Sequence, residues 1–191
     1  MKIIFFFLFL CFFKAHSQQN EYSVRDLKSG KFKADSSFIY SLPFEKGNSY
    51  FLVQGYHSAF SHKGLYALDF KMKEGTKICA ARNGVVISMR QDSDKRGLKP
   101  EMLSEWNYII IRHADGSEAI YGHLKLNGAL VNAGDTVSAG QAIGLSGNTG
   151  YSAFPHLHFE VSEPAKGQIP TRFQTKKGVQ YLRPGKWHKA I

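Results

Sequence analysis

Gly147-Asn148-Thr149-Gly150-Tyr151-Ser152-Ala153-Phe154-Pro155-His156-Leu157-His158-Phe159-Glu160-Val161 is the stretch on which the reading of this chain turns. Its first half, rich in Gly, Asn and Ser, reads as a turn; its second half alternates and reads as a strand. Successive strand residues point to opposite faces, so His156, His158 and Glu160 share one face and Leu157, Phe159 and Val161 the other. The apolar face belongs in a core. Two imidazoles two residues apart on the polar face can reach one ion, or serve as one ligand and one catalytic group beside it. A solvated histidine pair has the same local sequence, so the rest of the chain has to separate these readings.

Outward from this strand the pattern is of short strands with turn residues between them, and helical periodicity is weak throughout. Strands are predicted at 49–54, 66–70, 75–81 and 84–91, and a hairpin at 106–112 and 118–124 around Ala114-Asp115-Gly116. Residues 131–146 read as short strands and tight turns. Residues 92–105, charged and containing Gly97 and Pro100, read as a mobile loop. Gly75-Thr76-Lys77-Ile78-Cys79-Ala80 faintly echoes Gly134-Asp135-Thr136-Val137-Ser138-Ala139. The expected fold is a mainly β, antiparallel single domain. Its expected span is 46–191 with a basic C-terminal tail, preceded by an extended, loosely packed lead-in at 18–45.

Met1 to Ser17 has the pattern of a secretory signal peptide: Lys2, an apolar run from Ile3 to Phe13, then Ala15-His16-Ser17. That run is shorter than the roughly 20 residues a membrane span needs. Leu8-Phe9-Leu10 before Cys11 lacks the small residues of a lipid-anchor site, so export and release are expected, to the periplasm or beyond. Past this segment Cys79 is the one remaining cysteine, which excludes an intrachain disulfide there. Its neighbours make it a small core residue rather than a nucleophile. The chain of 191 residues carries a net charge of +10, which suits an anionic polymer as partner. The positive residues are scattered, with no basic–aromatic nucleic-acid motif.

Asp69 lies in Tyr66-Ala67-Leu68-Asp69-Phe70, an acid in apolar company. A buried carboxylate is costly unless it is paired or coordinates a metal. His62 precedes it by seven residues in a loop that can fold back beside it, and His123 sits in Tyr121-Gly122-His123-Leu124. Two His and one carboxylate suit tetrahedral zinc with an open position for water, and further imidazoles can assist proton transfer. The His-Glu-x-x-His helix of other metalloproteases is absent.

These segments resemble the lysostaphin-type, or LytM-like, zinc endopeptidases of bacterial peptidoglycan. The likeness runs from about Gln54 to Val161 and rests most on Gly147-Asn148-Thr149-Gly150 and Pro155-His156-Leu157-His158-Phe159-Glu160-Val161. Ser61-His62, Ala67-Leu68-Asp69-Phe70, His113-Ala114-Asp115-Gly116 and Tyr121-Gly122-His123-Leu124 support it. The resemblance implies one Zn2+ held by His62, Asp69 and His158, with His123 and His156 as the catalytic pair. It implies a compact antiparallel β domain that has a substrate groove and hydrolyses stem or cross-link peptides. A monomer is expected, with no nucleic acid as partner and no membrane span. Many members place the first His four residues before the Asp, and here the interval is seven, with His57 as the substitute ligand. His113 is expected to be structural and His188 solvated. Glu160 is either hydrogen-bonded to a ligand His or turned to solvent. A non-catalytic wall-binding module on the same fold is the alternative to the enzyme; it would not require all five positions to be filled.

Overall fold

Alternating burial along His156–Glu163 places this strand at the centre of the molecule. Leu157, Phe159 and Val161 are fully buried, whereas His158 and Glu160 are half-buried on the other face. In this computed structural model, which describes residues 23–30 and 38–191, the strand belongs to a nine-stranded sheet. It is flanked by Ala67–Lys71 and Glu118–Gly122. Beyond Ala67–Lys71 lie Ser49–Gln54 and the edge strand Lys186–Lys189; beyond Glu118–Gly122 lie Tyr108–Arg112, Gly84–Arg90 and Thr136–Val137. Every pairing in this sheet is antiparallel, as period-2 patterning with one wet face predicts. A three-stranded sheet of Lys77–Cys79, Ala142–Ser146 and Leu124–Ala129 packs beside it.

The core between the sheets is aliphatic and aromatic: Leu68, Phe70, Ile109, Ile111, Tyr121, Leu124, Ile143 and Phe159 are fully buried. Cys79 is buried and free, as expected of a small core residue. The two echoing segments both begin with a turn closed by a hydrogen bond across four residues, Thr76 N to Lys73 O and Asp135 N to Asn132 O. Gly75 and Gly134 occupy the third position at φ +81° and +98°, the conformation that selects glycine there.

Three local expectations change. Residues 23–30, read as extended, hold a helix, Val24–Lys28, closed by a capping box between Ser23 and Asp26. Residues 38–44 are not loosely packed: Tyr40, Leu42 and Phe44 are in the core, and Ile39–Tyr40 pairs with Arg172–Thr175. Residues 92–105 are structured. Arg96–Gly97 pairs with Gly150–Tyr151, Pro100–Ser104 forms a 3-10 helix, and Glu105 bridges Arg90 and Lys95. The segment Met1–Ser17 lies outside the described residues, as do residues 18–22 and 31–37. No helix among the described residues is long and apolar enough to cross a membrane.

Candidate metal centre

The register of the central strands assembles the site. His158 is directly opposite Asp69 on one neighbour and Gly122 on the other. Residues directly opposite share a face, so the two side chains meet: His158 Nδ1 is 3.0 Å from Asp69 Oδ1. His62 approaches from its loop with Nε2 3.2 Å from Asp69 Oδ2. The ligand atoms of His62, Asp69 and His158 all lie within 4.8 Å of one another. The seven-residue interval is accommodated because the loop is stapled at its base. Gln54 Nε2 donates to both Asp69 Oδ2 (2.7 Å) and Ser61 Oγ (2.9 Å), and His62 Nδ1 donates to Gly55 O at 3.2 Å. His57 is outside the cluster, its ring edge-on to Tyr66.

His156 and His123 stand at the side of this cluster. His156 Nε2 is 3.6 Å from Asp69 Oδ1, and the His123 and His156 rings are 4.5 Å apart. His123 follows Gly122 at the strand end with φ +61°, a left-handed residue that turns its ring back over the sheet. The turn before the central strand holds both rings. Thr149 O accepts from His123 Nδ1 (2.6 Å), and Phe154 O accepts from His156 Nδ1 (2.8 Å), with Ser152 Oγ 3.2 Å from the same nitrogen. Glu160 Oε2 accepts from His158 Nε2 at 3.1 Å and from Gln168 Nε2, so of its two readings the hydrogen-bonded one holds.

These bonds decide which nitrogen each ring offers. His62 and His158 commit one N–H to Gly55 O and to Glu160, leaving Nε2 and Nδ1 respectively toward Asp69. That is the hydrogen-bonding pattern by which a protein orients imidazole for a metal. Burial would raise the Asp69 carboxyl, but hydrogen bonds from His158 and His62 hold it well below the usual carboxylate range. Burial would likewise lower His158, but Asp69 and Glu160 push it up to about 10. In the metal-free protein His158 itself carries the positive charge between Asp69 and Glu160; a bound cation would take that place, and the donor set is the His₂-carboxylate type that suits zinc. Burial pushes His123 down to about 3, and it lowers His156 as well, so both rings are neutral at pH 7.

The remaining histidines are elsewhere. His113 is buried with Nδ1 donating to Asn83 O at 2.8 Å. His188, expected to be solvated, is half-buried because its strand pairs with Ser49–Gln54, and its Nε2 donates to Arg183 O at 3.0 Å. Gln54, Thr149, Ser152 and Trp106 surround the site without having been singled out by sequence. No spacing rule marks Gln54 or Trp106, whereas Thr149 and Ser152 fall inside the quoted stretch and could have been found there. A cleft of about 280 Å³ opens over the cluster, with Phe60, Leu98, Leu103, Trp106 and Phe154 as apolar walls.

An antiparallel β domain whose central strand brings a His, an Asp and a His together beneath a cleft, with two neutral imidazoles alongside, has the build of a metallopeptidase domain. Residues 61–170 match peptidase family M23, and the chain belongs to that family. Peptidoglycan DD-endopeptidase ShyA of Vibrio cholerae is 40% identical over 93 residues, 49% of this chain and 19% of that protein. Lysostaphin of Staphylococcus staphylolyticus is 36% identical over 95 residues, 50% of this chain and 18% of that protein. An uncharacterized metalloprotease of Haemophilus influenzae is 37% identical over 99 residues, 52% and 18% respectively. The chain thus spans about a fifth of the length of these relatives. Among solved structures, the catalytic domain of the prophage-encoded M23 protein EnpA from Enterococcus faecalis has a TM-score of 0.51 at 26% identity, covering 68% of this chain and 94% of that one. Lysostaphin from Staphylococcus simulans has a TM-score of 0.50 at 32% identity, covering 63% and 47%.

Proposed function

We propose that this chain is an exported zinc endopeptidase that hydrolyses cross-link or stem peptides of bacterial peptidoglycan. The observation that carries the reading is the filled set of five: His62, Asp69 and His158 converging on one point, with His123 and His156 poised beside it. His62, Asp69 and His158 would hold the ion, and zinc so bound lowers the pKa of a water to about 7.

The chain's own residues do the rest. His123 and His156 each spend Nδ1–H on a backbone carbonyl, so each offers Nε2 as a proton acceptor. Asp69, 3.6 Å from His156 Nε2, favours a proton there and makes His156 the stronger base of the two. The proton it takes from the attacking water is returned to the leaving amine of the cut peptide. The apolar walls of the cleft exclude water and hold an extended peptide over the imidazoles.

Purified peptidoglycan digested with and without a chelator tests the reading, with released muropeptides identified by mass. Release that stops on zinc removal and returns on zinc addition is expected; cleavage by metal-free protein overturns the proposal. His158→Ala is expected to lose the ion. His123→Ala and His156→Ala are expected to keep it and lose turnover by about 10²–10⁴-fold. Zinc-loaded protein that binds walls and releases nothing would instead be the non-catalytic module. Export is tested by the N-terminal mass of protein recovered outside the cytoplasm, with cleavage after Ser17 expected.

A further inference from the structure

Residues beyond the family match build a second cleft, of about 420 Å³, at the edge of the main sheet. Lys28 lines it from the N-terminal helix, Lys176 and Lys177 from the turn after Arg172–Thr175, and Arg183, Lys186 and Lys189 from the last strand and the turn before it. Among the described residues no carboxylate lines it. Among the described residues none of the six is ion-paired, although other surface cations such as Lys77, Lys95 and Arg112 are. The crowding is felt within the cluster: beyond partial burial, Arg183 and Lys177 lower the pKa of Lys28. Like charges gathered without counter-charge destabilise the free protein and favour an anion. Trp187, 68% exposed, lies against Phe51 on the neighbouring strand and leaves ring surface beside the cations.

This cleft borders the metal-centre loop. Pro184, next to Arg183, packs against Gly55 so closely that a Cβ at Gly55 would stand 2.9 Å from the proline ring. Gly55 is the residue whose carbonyl orients His62, and its neighbour Gln54 bonds Asp69. The Pro184–Gly55 contact thus links the segment that carries Arg183 to the loop that positions His62.

We propose that this basic cleft is a second, non-catalytic binding site for peptidoglycan, taking free carboxylates on the uncut peptides that flank the bond being hydrolysed. It rests on the peptidoglycan reading above. Nucleic acid is the competing polyanion, and the shared border with the catalytic loop favours the wall polymer over it.

The test uses the full, zinc-loaded chain and the triple variant Lys177→Gln, Arg183→Gln, Lys186→Gln, three exposed positions. Co-sedimentation with purified sacculi is measured from low to high salt, beside hydrolysis of a short soluble cross-linked peptide. Sacculus affinity is expected to fall at least about tenfold at low salt, with a flatter salt dependence, while hydrolysis of the short peptide is unchanged. Sacculi whose carboxylates have been amidated should bind both proteins equally weakly. Unchanged sacculus binding by the variant overturns the proposal while leaving the endopeptidase reading intact. Failure of the parent to cut the short peptide strikes at the endopeptidase reading instead. Tighter binding of the parent to single-stranded DNA than to sacculi at equal salt, lost in the variant, also overturns the proposal.

Discussion

Glu160 holds the Nε2 edge of His158 while Asp69 faces its Nδ1 edge, so one ring is gripped from both sides by carboxylates. Glu160 is itself fixed by Gln168, whose Oε1 accepts from Tyr66 N at 2.9 Å. That chain of bonds orients the ring and raises its basicity. Glu160→Ala is therefore expected to weaken zinc binding by about 10–100-fold, measured by competition with a chelator of known affinity. Unaltered affinity would mean that Glu160 only fills space. Strand parity put Glu160 and His158 on one face from sequence alone. It could not say whether that face met water or Gln168, because Gln168 arrives on Gly167–Gln168, which folds back on the end of the same strand.

The Gly147–Phe154 turn is what makes the central strand a site rather than a strand with two histidines. Gly147 approaches the Lys125 backbone so closely that a Cβ would stand 2.3 Å from its nitrogen. Thr149 is locked by Asn107 N and Leu124 O, which aims its carbonyl at His123. Gly150, at φ +80°, abuts the Trp106 backbone and Cβ, and the indole covers Gly122 on the other side. A Cβ at Gly122 would lie 2.4 Å from the Trp106 ring, so the ring must shift to admit it. Gly122→Ala is expected to cost about 1–3 kcal/mol by overpacking, read from denaturant unfolding, with much of the loss recovered in the Trp106→Ala background. Additive losses in the double variant would show that the two residues are not coupled. The turn and the strand were legible as Gly/Asn/Ser followed by alternation. Trp106 was not, since its role depends on two glycines at positions 122 and 150 meeting it from different strands.

Across the whole molecule, acid acts through the buried histidines. Burial lowers His113, whose bond to Asn83 O only partly offsets it. Its neutral form is therefore the one the fold prefers, while the unfolded chain protonates near the ordinary value of about 6.5. As pH falls through that value the unfolded state binds a proton that the fold refuses, so stability declines. His123, His156 and His188 are lowered too and add to the same slope. His158 in metal-free protein has the opposite sign: its contribution is fully present below about 6.5 and lost as pH rises through about 10. The Tm of chelator-treated protein is expected to fall from pH 7.5 to pH 5, with a shallower fall in His113→Gln. An identical slope in that variant would remove His113 from the account.

The sequence by itself determined the β class, the positions of the main strands and the buried cysteine, and it named the five side chains that the fold brings together around Asp69. Those properties are local: side-chain parity, turn chemistry and an acid flanked by apolar neighbours can each be read within a few residues. Tertiary structure alone decided that Asp69 and His158 stand opposite each other, since register between strands 89 positions apart is set by packing both sheet faces. It also decided the burial of Tyr40, Leu42 and Phe44, and the gathering of Lys28 with the cations of residues 176–189. Both bring together residues far apart in the chain, and that proximity comes from folding and leaves no mark on the local sequence.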